Sequence, residues 1–153
     1  MSSKPYTPLQ ERLLSGVLKA MSPVNTAVYR MSRGKVGGRF SRRAPICLLT
    51  TTGRRSGQAR TVPLLYLAEG DDVVVVASKG GTAHHPAWYL NLVDNPQVTV
   101  QIGRTTTRMV ARTATPEEKG PLWQRLVAMY RTYDSYQART ERDIPVVIGT
   151  PAS

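Results

Sequence analysis

Two arginines stand side by side between glycines in TTTGRRSGQAR, residues 50–60, with Arg60 three residues beyond the second glycine. Set in a turn, this stretch offers glycine-permitted backbone amides, the Ser56 hydroxyl and the guanidiniums of Arg54 and Arg55. That donor set suits phosphate or carboxylate oxygens. The same residues equally describe an exposed hairpin tip whose arginines face water. Arg60 opens the next β-rich run, and Ser78-Lys79-Gly80-Gly81 closes the one after it. In a meander these cations are expected to converge at one end.

A second constellation is aromatic. Tyr130, Tyr133 and Tyr136 recur every three residues, spread over one broad helical face, and Trp88-Tyr89 lies in a short helical insert. Such a face packs on a core, or it stacks a flat ring and donates hydrogen bonds to a carbonyl or nitro oxygen. Ser78 is a donor of the same kind on the strand side; a strand-end hydroxyl also commonly bonds to backbone.

Conventional catalytic groups are missing. His84 and His85 are adjacent and so point in different directions, and no cysteine or carboxylate cluster has metal-ligand spacing, so no metal site is expected. No glycine-framed serine stands in order with a histidine and an acid. Cys47 lies in the apolar run PICLLT and reads as a buried, inert thiol. Hard chemistry would have to come from a bound organic cofactor.

Lysine and arginine outnumber aspartate and glutamate 21 to 10 in 153 residues, which favours anionic partners. Nucleic acid fits the charge, but the arginines gather at a turn without the aromatic-basic sheet motifs of RNA modules, and no nucleic-acid partner is expected. A lone cysteine fits a reducing cytoplasm, and neither a secretory signal nor a bilayer-spanning run is read.

The elements that must position these groups follow from periodicity. From Leu9 to Met31 apolar residues keep a three-and-four spacing, divided at Ser22-Pro23 into two amphipathic helices. With Lys4, Arg12, Lys19 and Arg30 they either pack on the rest or dock peripherally on acidic lipid at the inner face of the membrane. A basic glycine-rich linker, residues 33–43, closes an N-terminal segment 1–43; the remainder, 44–153, reads as one domain. There PICLLTT, RTVPLLYLA, VVVVASK, QVTVQI and TTTRMVART alternate with turn signals, an antiparallel meander. The insert PAWYLNLVDN stops at Asn95-Pro96, and Thr115-Pro116-Glu117-Glu118 opens a helix running to about Tyr136. IPVVIG, residues 144–149, reads as a final strand. The fold class is α+β: about six antiparallel strands in a small barrel with peripheral helices.

TTTGRRSGQARTVPL, VVVASKGG, HPAWYLNL with DNPQVTVQI, and MYRTYDSYQARTERDIPVVI arrive in an order that resembles the deazaflavin-dependent nitroreductase family of actinobacteria. The resemblance runs from about Ser15 to the end of the chain. It implies a split β-barrel and reduced coenzyme F420 as hydride donor to quinones, nitroaromatics or activated enones. Carried over by position, it places the coenzyme against Arg54, Arg55, Ser56, Arg60, Thr61, Val62, Pro63, Leu64 and Leu65. It adds Val76, Ala77, Ser78, Lys79, Ala87, Trp88, Tyr89, Leu90, Asn91 and Tyr133. The acceptor would lie beside Ser78 under a lid of Tyr130, Tyr133 and Tyr136. Where members of the family carry an aromatic, this chain has Leu65 followed by Tyr66, which strand alternation sends to opposite faces. A flavin-mononucleotide oxidoreductase of the same barrel type and a non-catalytic deazaflavin carrier at the membrane are the alternatives.

Overall fold

The computed structural model describes residues 5, 7–10, 39–41 and 44–152. The amphipathic helices read over residues 9–31 lie outside them, apart from a helical turn at residues 8–10. Chain order in the described part is β1 (Arg39–Ser41), β2 (Ala44–Thr52), β3 (Ala59–Leu65), β4 (Leu67–Glu69) and β5 (Asp72–Val76). There follow a 3-10 turn at Lys79–Gly81, α1 (Ala87–Asp94), β6 (Gln97–Ile102), β7 (Thr105–Thr113), α2 (Pro116–Met129), α3 (Thr132–Arg139) and β8 (Val146–Pro151). The meander is therefore richer than six strands: β1 lies inside the stretch read as a linker, and β4 is a three-residue strand pairing with β5 across the Gly70 turn.

All pairings are antiparallel, in the order β1-β2-β6-β7-β8-β5-β4, with β3 also on β2. Pro63 sits opposite Leu48 in β3, which among the described residues pairs with β2 alone, an edge position that tolerates proline. The gap between β3 and the β4–β5 edge is where the barrel stays split.

Alternation sorts the strands onto two cores. Cys47, Leu49, Val73, Val75, Val98, Val100, Met109, Ala111 and Val147 fill the barrel, plugged at one end by Trp88 and Leu92 of α1. Val74, Val76, Val146 and Ile148 point outward under α2 and α3, against Leu126, Tyr133 and Ile144. The unbroken run Val73 to Val76 is thus apolar because both faces of β5 are covered. Leu65 joins the outer core and Tyr66 the inner one, as alternation requires.

The helix expected to run unbroken to Tyr136 is two. Thr115 and Glu118 form a capping box at its start, and Tyr130, in extended conformation, ends α2. Arg131 then opens α3. The three tyrosines consequently straddle a break instead of lining one helix.

Candidate active site

Register brings the charged turn and the Ser78 loop to the same end of the barrel. Thr52 ends β2 opposite Ala59, and Thr50 pairs with Thr99 near the start of β6. Gln97 pairs with Val110, Thr113 with Val147, and Val146 with Val76, so the last residues of β2 and β5 share one rim with α1.

The turn is tightly built. The Gly53 N–H donates to the Gln58 carbonyl at 2.8 Å, and the Gly57 N–H to the Gly53 carbonyl at 2.8 Å, with Gly57 at φ +71°. A side chain at Gly53 would strike Ser56 Oγ at 2.7 Å. Ser56 Oγ accepts from the Gln58 N–H at 3.2 Å and from Arg60 at 3.5 Å, so serine organises the turn while also facing solvent. Asn91 of α1, only 6% exposed, accepts the Arg54 N–H at 3.1 Å and donates to Thr51 Oγ1 at 3.1 Å. Its amide is spent on holding the turn to the helix. The Arg54 and Arg55 side chains are exposed and have no acidic partner among the described residues.

Beyond β5, Lys79, Gly80 and Gly81 take φ of +44°, +65° and +78° in succession. For lysine this is a disfavoured conformation. At Gly81 an added Cβ would lie 2.6 Å from the Tyr136 carbonyl oxygen, so only glycine lets the loop meet the backbone of α3. Arg142 holds the loop from the other side: Nε donates to the Thr82 carbonyl at 2.8 Å, Nη1 to that of Ala77 at 3.2 Å, and Nη2 to that of Ser78 at 2.7 Å. Nη1 is also 3.0 Å from His85 Nδ1. Burial and this guanidinium both lower the His85 pKa, and its ring lies 4.9 Å from Tyr89.

The tyrosines form one cluster. Tyr130 meets Tyr133 edge-on at 5.0 Å between ring centroids, and the Tyr130 and Tyr136 hydroxyls are 3.3 Å apart. Tyr133 is 4% exposed and belongs to the outer core, while Tyr130 and Tyr136 are half-buried. Burial, reinforced by Tyr130 and Tyr136, raises the Tyr133 pKa far above that of a free phenol, so the group stays a proton donor in hydrogen bonds. Burial likewise pushes Cys47 up to about 12, leaving a thiol without nucleophilic character.

The residues singled out in the sequence fall into three sets. Arg54, Arg55, Ser56, Arg60 and Ala87 are exposed on the rim. Ser78, Lys79, Tyr89, Leu90, Tyr130 and Tyr136 are half-buried, and Thr61, Val62, Pro63, Leu64 and Leu65 are half-buried along β3, which runs from the rim toward the opposite end. Val76, Ala77, Trp88, Asn91 and Tyr133 are buried beneath. Arg142 and the Gly81 contact were missed: Arg142 reaches partners 57 to 65 residues away, for which no local pattern exists. Two shallow cavities, of about 450 and 300 Å³, lie elsewhere: one at the opposite end beside Tyr66, Gly70 and Met109, the other between the outer sheet face and α2.

Residues 21–151 match the family model described as F420H(2)-dependent quinone reductase. A putative F420H(2)-dependent quinone reductase of Mycobacterium tuberculosis is 41% identical over 117 residues, 76% of this chain and 98% of the relative. A second one from that organism is 38% identical over 130 residues, 83% of this chain and 87% of the relative. Among solved structures, an F420-H2 dependent reductase, FDR-A, superposes with a TM-score of 0.65 at 44% identity, over 69% of this chain and 94% of that one. Another, described as a domain-swapped dimer, reaches 0.67 at 40% identity, over 83% and 96%.

Proposed function

The chain belongs to the F420H(2)-dependent quinone reductase family, and on that premise we propose that it reduces quinones with coenzyme F420 through the rim of residues just described. When bound, the reduced deazaflavin supplies a hydride to an electron-poor acceptor.

The observation that carries the reading is the charged turn. Among the described residues Arg54 and Arg55 have no acidic partner, and they sit on a backbone braced by Asn91, a donor set that fits the phosphate and carboxylates of an anionic coenzyme. The half-buried strand Thr61 to Leu65 offers an apolar wall beside them for a flat ring. Val76, Ala77, Trp88 and Tyr133 act from below, by shaping that wall. Ser78, Tyr130 and Tyr136 carry the hydroxyls able to steady negative charge developing on an acceptor oxygen. Quinone is the acceptor named for the relatives; nitroaromatics and enones share its electron deficiency and belong in the same assay.

Fluorescence titration with F420, followed by stopped-flow oxidation of the reduced coenzyme by menadione, tests this. Charge reversal, Arg54→Glu or Arg55→Glu, should raise the coenzyme Kd by about tenfold or more while kcat at saturation changes little, as loss of a charge-assisted contact of about 1.5–3 kcal/mol requires. Ser78→Ala should instead lower kcat. Turnover with reduced nicotinamide alone, or a yellow protein holding flavin mononucleotide, would overturn the coenzyme assignment.

We also propose that residues 1–43, joined to the barrel domain 44–153 by the pairing of β1 with β2, form an N-terminal segment that Lys4, Arg12, Lys19 and Arg30 dock on acidic lipid, near membrane quinones. Among the described residues no helix is long and apolar enough to cross a membrane. Liposome co-sedimentation of the full chain should exceed that of a chain lacking residues 1–30; equal pelleting removes the lipid role.

A further inference from the structure

Ser78 and Tyr136 come from different elements, and nothing in the strand ladder sets the distance between them. Two links do. Gly81 lies against the Tyr136 backbone, so close that a methyl group has no room. Arg142, on the loop leaving α3, reaches back to the carbonyls of Ala77, Ser78 and Thr82. That loop is itself tied to α3: Gln137 Nε2 donates to the Arg142 carbonyl at 2.8 Å, and Gln137 Oε1 accepts the Ile144 N–H at 3.0 Å.

Resting on the proposed reading of Ser78 and Tyr136 as groups flanking the reaction, we propose that Arg142 is a positioning residue that locks the Ser78 loop to the tyrosine helix. At least four of its five N–H groups are used, in directions set by a planar fork, with His85 accepting through Nδ1 in the tautomer that carries its proton on Nε2. A lysine ammonium has three donors and no fork, so it cannot reproduce the grip. The grip holds a loop with three consecutive left-handed residues, one of them a lysine, in a conformation it would otherwise leave. The role proposed for Arg142 is exerted through the serine loop, whose carbonyls it holds.

Amide hydrogen exchange, menadione kinetics and thermal melts on Arg142→Ala, Arg142→Lys and Gln137→Ala in the full chain test the assignment. In Arg142→Ala, exchange should rise at residues 77–85 while β2 and β6 stay protected. The coenzyme Kd should rise less than in Arg54→Glu, because the Arg54–Arg55 turn is untouched and only the loop at 77–82 loosens. Misplacement of a reacting group should cost kcat on the order of 10- to 100-fold. Added guanidinium ion should restore part of the rate where equal sodium chloride does not, and Arg142→Lys should recover little. Unchanged exchange at 77–85, or unchanged kcat, would overturn the proposal, as would a uniform rise of exchange through the barrel. Should Arg142→Ala fail to fold, Gln137→Ala must show the same local pattern in milder form, and its absence is equally decisive. Exchange needs no coenzyme, so an enzyme inactive with F420 would remove the proposed function and leave the loop measurement to judge Arg142.

Discussion

Asn91 shows how a polar residue can serve a site without facing it. Its buried amide accepts the Arg54 N–H and donates to Thr51, which fixes the backbone from which the two guanidiniums emerge. Asn91→Leu keeps the volume and orphans a donor, at a cost of about 1–3 kcal/mol. The mutant should melt lower and bind F420 about tenfold more weakly, with kcat at saturation less affected, by titration and stopped flow. His85 is a second such residue. Burial and Arg142 hold its folded pKa below the ordinary 6.5. The unfolded chain therefore takes up the proton first as pH falls. The stability His85 confers is complete above about pH 6.5 and is lost as pH drops through the lower folded value. Arg142 and Tyr89 are the groups that face it. Wild type should lose more Tm between pH 7.5 and 5.5 than His85→Gln, read by calorimetry.

Among the elements, α2 is bound to the sheet at its start. Thr115 Oγ1 accepts the Glu118 N–H while the Glu118 carboxylate accepts the Thr115 N–H and takes both Arg112 nitrogens, at 2.6 and 2.8 Å, from β7. These contacts hold the Glu118 carboxyl down at about 2. With the folded value below the unfolded one, its contribution is present above about pH 4.5 and lost as pH falls toward 2; solvent exposure keeps it small. Thr115→Ala should cost about 1 kcal/mol and lower Tm without changing the coenzyme Kd, since the box lies away from the charged turn. The break at Tyr130 matters more to chemistry. By ending α2 there, the chain turns Tyr133 into the core and leaves Tyr130 and Tyr136 half-buried beside it.

On the scale of the molecule, the barrel is divided between a packed interior and a working rim. Trp88 and Leu92 close the interior at that rim, and α2 with α3 cover the outer sheet face, which leaves the rim as the surface proposed for the coenzyme. The net charge of +11 acts at this scale. It favours approach of an acidic coenzyme from any side, and on the proposed reading the turn selects where it stays.

The elements were legible where the signal is local. Alternating apolar residues, the Gly103-Arg104 hairpin, the capping box at Thr115 and the insert at 87–94 each follow from neighbours within a few positions, and each forms. Leu65 and Tyr66 part to opposite cores for the same reason. The helix break at Tyr130 has no glycine or proline to announce it, and the short strands β1 and β4 exist only because a neighbouring strand offers its edge. The residue types of TTTGRRSGQAR mark a glycine-framed cationic turn, and by themselves fit a solvated hairpin tip as well as an anion grip. Whether that turn is braced was decided by Asn91 from the helix 37 residues on, and how the Ser78 loop sits against the backbone of α3 by Gly81 and Arg142. Those contacts are single hydrogen bonds and close approaches between distant segments, so they carry no period and are created only when the barrel closes its rim.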